Sequence, residues 1–247
     1  MSEKLKVLDL FSGIGGFTIG FDRAGLETVA FCEIEKYPRQ VLAERWPNVV
    51  CYDDVKTLTS DRIHADGLRP NVICGGFPCT DLSLAGRLAG MDGTRSGLWS
   101  EVARLIGELR PHYAVMENVA NLLSGPAGNP GGWFRRVLGD LASLGYDAEW
   151  HCIPAGNLGA PHERDRVWIV AYPHSAQREG GSLSRRIHQE YANARRSSWW
   201  ENQPIIQRTA NGISAQSHRL KALGNAVVPQ IPELIGRAII ADYAAKP

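Results

Sequence analysis

The tightest constraint on this chain is a glycine turn near its start. Leu5-Lys6-Val7-Leu8-Asp9-Leu10 reads as an apolar strand, Gly13, Gly15 and Gly16 follow, and Phe17 to Ala24 has helical spacing. Glycines let a backbone approach a ligand closely, and the open N–H groups of a helix start attract a negative group. The full dinucleotide pattern needs glycine where Thr18 stands, so a nicotinamide cofactor is disfavoured and a carboxylate-bearing ligand fits as well. The next strand, Thr28 to Glu33, ends in an acid about 20 residues past the turn, where a nucleotide-binding α/β unit holds ribose hydroxyls. A tight βα turn without a ligand would share this pattern.

A second strand-and-turn unit lies at residues 71–87. Val72-Ile73-Cys74 is a short apolar run that breaks at Gly75-Gly76, and the turn behind it carries Pro78-Cys79-Thr80-Asp81. A buried strand that stops at two glycines puts the Cys79 thiol at the carboxyl edge of a sheet, where open α/β sheets bind ligands. Pro78 fixes one backbone dihedral ahead of the sulfur. His112 to Met116 reads as a strand that delivers Glu117 to the same edge, an acid partner for the thiol. Arg164 and Arg166 stand two apart at the start of the strand Arg166 to Ala171, so in an extended backbone both side chains leave one face. Such a pair suits a base oxygen, a phosphate or a catalytic carboxylate.

With 247 residues and 44% hydrophobic content, the chain can bury one α/β domain plus an attachment. No apolar run approaches a membrane span, and no charged-then-apolar leader is visible. Five cysteines without a CxxC pair suit reduced thiols in a cytosol, not a disulfide scaffold or a metal site. A net charge of +1 means that nucleic-acid affinity must come from a local basic patch. Helices are expected over Gly97 to Leu109, Pro130 to Leu144 and Ile231 to about Tyr243, with a strand over Asp147 to Ile153 and only a turn over Ala222 to Pro229. Residues 84–97, rich in Gly, Arg and Ser, read as a mobile loop able to close over a substrate. From Pro173 to Ser217, Arg178, Arg185, Arg186, Arg195, Arg196 and Arg208 outnumber Glu179, Glu190 and Glu201, and aliphatic residues are scarce. This segment is expected to bury little core and to stay disordered until it meets a polyanion, with Trp199-Trp200 anchoring one end.

Five elements appear in a telling order. They are Asp9-Leu10-Phe11-Ser12-Gly13-Ile14-Gly15-Gly16, Pro78-Cys79-Thr80-Asp81-Leu82-Ser83, Met116-Glu117-Asn118-Val119, His162-Glu163-Arg164-Asp165-Arg166 and Gly224-Asn225-Ala226-Val227-Val228-Pro229. Together they resemble the cytosine-C5 DNA methyltransferases over roughly residues 5–172 and 218–245. The resemblance implies a doubly wound, mostly parallel, Rossmann-like α/β sheet. Residues 1–172 and 218–247 would form an S-adenosylmethionine-dependent catalytic domain, and 173–217 a short target-recognition segment. Cys79 would add to carbon 6 of a cytosine flipped out of duplex DNA, Glu117 would support N3, and Arg164 and Arg166 would complete the catalytic group.

For the cofactor, the resemblance implies Phe11, Gly13, Ile14, Gly15 and Gly16 at the glycine turn, Glu33 on the ribose, and Ile34, Asp54 and Val55 beside the adenine. Pro78, Leu98, Asn225 and Ala226 would close the pocket. Ser83, Arg87, Arg95, Arg195 and Arg196 are expected DNA contacts, and no metal is expected. The chain departs from the family pattern in three places: His162 replaces the usual Gln, Ile34 replaces a frequent aromatic, and the recognition segment is unusually small. The expected partners are double-stranded DNA and, as a candidate, a cognate restriction endonuclease. A monomer in the cytoplasm of a bacterium or phage host, with no membrane attachment, is the expected setting. An RNA (tRNA) methyltransferase and a non-catalytic, cofactor-loaded DNA-binding accessory are the alternatives.

Overall fold

The computed structural model describes residues 4–78, 97–125, 131–160, 163–176, 182–194 and 214–245. Cys79, Ser83, Arg87, Arg95, His162, Arg195, Arg196 and the Trp199-Trp200 pair lie outside the described residues. Within them β1 (Lys6–Leu10), β2 (Glu27–Cys32), β3 (Val50–Tyr52), β4 (Val72–Gly76), β5 (Tyr113–Val119), β6 (Tyr146–Pro154) and β7 (Asp165–Pro173) form one sheet. The strand order is β3-β2-β1-β4-β5-β7-β6. β1 to β5 run parallel, and β7 lies antiparallel between β5 and β6. This is the mostly parallel, doubly wound sheet that the resemblance implied. The order reverses beside β1, whose neighbours are β2 and β4, and such a switch point opens a crevice at the carboxyl ends of the strands.

The reversed strand matters for the site. Because β7 runs against β5, Arg166 near its start pairs with Val119 at the end of β5. β7 thus brings its first residues to the edge where β1, β4 and β5 bring their last.

Strand alternation fills both faces. Val7, Val72, Cys74, Tyr113 and Val115 pack on one face, while Leu8, Leu10, Ile73, Ala114 and Met116 pack on the other. The first face is covered by α1 (Gly16–Ala24), α6 (Ser182–Ala194) and α8 (Gln230–Ala244), and the second by α3 (Ser60–Ala65), α4 (Leu98–Leu109) and α5 (Gly132–Ser143). α2 (Lys36–Arg45) follows β2, and α7 (Ser214–Asn225) precedes α8. The Tyr113 hydroxyl donates to Asp242 at 2.6 Å in the buried seam between β5 and α8.

Three expectations change. Residues 182–194 form a helix whose Leu183 and Ile187, one turn apart, are 0% and 1% exposed. Burying each side chain is worth roughly 1.5–3 kcal/mol, enough to hold an otherwise polar helix on the sheet. Part of the arginine-rich segment therefore belongs to the core, Arg185 and Arg186 included in that helix. The expected turn over Ala222 to Pro229 is instead the last turn of α7 followed by a short link, residues 226–229. β5 also continues to Val119, so Glu117 lies within the strand, paired with Gly76 and Trp168.

One acid interrupts the first face. Asp9 in β1 is fully buried, its Oδ2 accepts the Thr18 hydroxyl at 2.8 Å, and Cys74 is its partner across β4. Burial pushes the Asp9 carboxyl up to about 7, and the Thr18 and Cys74 side chains oppose this shift without cancelling it. The unfolded chain releases that proton near pH 4 and the folded chain near 7. The proton's contribution to stability is therefore full below pH 4 and is lost as pH rises to about 7. Asp9→Asn is expected to remove a loss on the order of 2–4 kcal/mol across that window. Urea unfolding from pH 4 to 8 checks this, and identical slopes for both proteins would contradict it.

Candidate active site

A cleft of about 560 Å³ opens at the carboxyl edge of the sheet, walled by the turns behind the strands, the start of β7 and α7. Glu33 stands at one end, directly after β2 and 8% exposed. Its Oε2 accepts the Gly13 N–H at 2.8 Å and its Oε1 the Glu35 N–H at 2.7 Å. Two backbone donors fix this carboxylate between the glycine turn and the start of α2, and each oxygen keeps a lone pair for a ligand's hydroxyl. Gly13 has φ +53°, and a Cβ there would meet nothing within 4 Å, so glycine keeps this stretch of wall bare. Asp54 and Val55 sit on the turn after β3. Arg104 of α4 pins that turn, donating to the carbonyls of Val55 at 3.0 Å and Leu58 at 2.8 Å.

Glu117 stands at the other end, 8% exposed, with Oε1 2.8 Å from Arg166 Nε. A Cβ on Gly76 would lie 2.8 Å from Glu117 Oε2, so glycine lets this carboxyl keep its place, and a larger residue would make it shift. Burial pushes the Glu117 acid above the usual carboxylate range, and the Arg166 and Arg164 guanidiniums pull it back only in part. Arg164 also lines the cleft but has a different task. It donates to the carbonyls of Gly224 at 2.6 Å and Asn225 at 3.3 Å, satisfying the carboxyl end of α7. Burial and the neighbouring Arg166 charge hold its guanidinium below an ordinary arginine.

Asn118, 2% exposed, donates from Nδ2 to the Phe77 carbonyl at 2.8 Å. This bond fixes the backbone one residue ahead of Pro78, where the described chain stops before Cys79.

Of the residues expected at a cofactor, Phe11, Gly13, Glu33, Ile34, Asp54, Val55, Pro78, Leu98 and Asn225 line the cleft. Ile14, Gly15, Gly16 and Ala226 are not on its lining. Gly15 and Gly16 serve packing: a Cβ on either would come within 2.6 Å of the Trp46 ring or of the Val227 carbonyl oxygen. Sequence reasoning missed Asn118, Tyr37, His218 and Lys221, all on the lining. Asn118 carried a signal, since it follows Glu117 directly. The other three meet only through the fold.

The four described cysteines are free. Burial pushes the Cys32 thiol up to about 12 and Cys74 well above its ordinary value, and raises Cys51 and Cys152 as well. None of these four is poised as a thiolate near neutral pH. Among the described residues, no group of three or more His, Cys, Asp or Glu side chains could hold a metal ion, and no helix is long and apolar enough to cross a membrane.

The sheet and its edge define a Rossmann-like α/β protein with a cleft at the topological switch point. The family model of the C-5 cytosine-specific DNA methylases matches residues 5–221, and the chain belongs to that family. It is 34% identical over 171 residues to the Type II methyltransferase M2.BsuMI of Bacillus subtilis, covering 68% of this chain and 42% of that protein. It is 31% identical over 185 residues to the Type II methyltransferase M1.HphI of Haemophilus parahaemolyticus, covering 73% and 48%. The chain thus spans less than half the length of these two relatives. Among solved structures, it is similar to a candidate DNA modification methyltransferase encoded within an E. coli prophage. The TM-score is 0.69 at 18% identity, over 98% of this chain and 100% of that one, a likeness of fold alone.

Proposed function

We propose that the chain transfers a methyl group from S-adenosylmethionine to carbon 5 of cytosine in double-stranded DNA. One observation carries the reading: a single cleft joins the anchored Glu33 carboxylate to the Glu117–Arg166 pair, where the chain enters Pro78 and Cys79. The nucleoside end fits the cofactor. Glu33 is acceptor-only and immobilised, which suits the two donor hydroxyls of a ribose, and Gly13 keeps the wall beside it open. Ile34, Asp54 and Val55 would frame the adenine, and Phe11, Pro78, Leu98 and Asn225 the rest. When bound, the cofactor supplies an electrophilic methyl group.

The remaining chemistry belongs to the chain's own residues. Carbon 5 of cytosine is a poor nucleophile, so the ring must first become electron-rich. The Cys79 thiolate adds to carbon 6, Glu117 gives its proton to N3, and the electron pair becomes available at carbon 5. After methylation, loss of the carbon-5 proton expels the thiolate and restores the ring. Two observations support these roles: the four described cysteines are held as thiols, and Glu117 keeps its proton to higher pH than a free glutamate. Arg166 would orient Glu117, and Arg164 would fasten α7 over the cleft. The base must leave the stack to reach the cleft. Target recognition is assigned to residues 173–217, with α6 as the part docked on the core and Arg195 and Arg196 among the DNA contacts. Ser83, Arg87 and Arg95 would add phosphate contacts. A cytoplasmic restriction–modification setting with a cognate endonuclease fits this reading.

Sequencing 5-methylcytosine in bacteria that express the chain tests the proposal. It is expected at one recurrent short DNA sequence, and not in cells expressing Cys79→Ala. Methylated tRNA with unmethylated DNA would instead favour the RNA reading.

A further inference from the structure

We propose that Tyr37 and His218 form the aromatic wall of the nucleoside end, against which the adenine ring of the cofactor lies; this rests on the reading of the cleft as an S-adenosylmethionine site. Tyr37 sits in the first turn of α2, three residues past Ile34, and leaves the same corner of the chain as Glu33. His218 reaches in from α7. Both line the cleft, and their rings stack with centroids 6.5 Å apart and planes 28° from parallel. That separation is near the upper end of aromatic contacts, so the two rings hold each other loosely at the cleft wall. One helical turn beyond His218, Lys221 Nζ lies 3.0 Å from Glu35 Oε1, and the Glu35 N–H holds Glu33. α7 is therefore tied to the ribose-binding corner by an ion pair and a ring pair side by side.

The other candidates for this task are weaker. A purine needs a flat surface against at least one face, and base–aromatic stacking supplies it. Ile34 is aliphatic and 70% exposed, so it offers only a narrow edge. Phe77 is 3% exposed and turned onto Trp99, with centroids 5.1 Å apart. Phe11 belongs to the glycine turn and packs against the core of the second face. Tyr37 and His218 are the remaining aromatic side chains on the lining among the described residues.

Titration calorimetry of the full chain with S-adenosylhomocysteine and with adenosine tests the inference. Tyr37→Leu and His218→Ala are each expected to weaken both ligands about tenfold, by loss of a stacking face. Tyr37→Phe, which keeps the ring, should bind as the wild type does. Stacking also lowers the adenine absorbance on binding, and Tyr37→Leu should lose that drop. Wild-type affinity in both Tyr37→Leu and His218→Ala overturns the inference and leaves the site reading intact. So does equal weakening in Tyr37→Phe and Tyr37→Leu, which would assign Tyr37 to hydroxyl bonding or packing. A wild-type protein that binds neither ligand overturns the reading of the cleft itself.

Discussion

Cys79→Ala is expected to abolish methyl transfer while leaving S-adenosylhomocysteine affinity unchanged. In the proposed mechanism the sulfur forms the bond to carbon 6 and takes no part in holding the cofactor. No neighbouring thiol can replace it: Cys32 and Cys74 are buried and pushed far up, and Cys51 and Cys152 are raised as well. Loss of a covalent nucleophile lowers turnover by about 10⁴–10⁶-fold, which is below detection for a slow enzyme. Transfer of labelled methyl groups to DNA, measured beside calorimetric binding, separates the two effects. Turnover retained at the wild-type rate would remove Cys79 from the chemistry.

Glu117→Gln is expected to lower methyl transfer by about 10²–10⁴-fold, because the amide can hydrogen-bond N3 but cannot deliver a proton. The variant preserves shape, so the Gly76 clearance and the packing of β5 against β4 should survive. It also changes the pH profile in a defined direction. Burial raises the wild-type acid, so its proton is present at low pH and is lost as pH rises through that elevated value. The wild-type rate should therefore carry an alkaline limb belonging to Glu117, and the Gln variant should lack it. Rates of the two proteins compared from pH 5 to 9 decide the point, and a variant with the same limb would contradict the assignment.

The sequence made the sheet legible because its signals are local. Val7 and Leu8, or Val72 and Ile73, alternate between faces with the period of a strand, and the Gly13 turn marks the βα corner beside them. Glu33 was readable for the same reason, since its distance from that turn is fixed by one helix and one strand. α6 was hidden because Leu183 and Ile187 are its only fully buried side chains among the described residues, with Tyr191 and Ala194 packed partly against the core, in a stretch otherwise rich in Arg and Ser. The details of the Glu117 corner were also hidden. Gly76, Glu117 and Arg166 lie on three strands that become neighbours only through the strand order and the reversal of β7. No local period encodes that reversal. The Tyr37–His218 contact is a longer-range case, joining the start of α2 to a helix near the end of the chain.

The central claim is a covalent bond from Cys79 to a cytosine ring, and DNA carrying 5-fluorocytosine at the methylated site tests it most directly. Fluorine at carbon 5 cannot leave as a proton does, so the thiolate is not expelled once the methyl group is in place. Wild-type protein incubated with this DNA and S-adenosylmethionine should give a slow-migrating protein–DNA band on a denaturing gel, and Cys79→Ala should give none. A wild-type protein that methylates ordinary cytosine in the same sequence, yet forms no such band, would contradict the account.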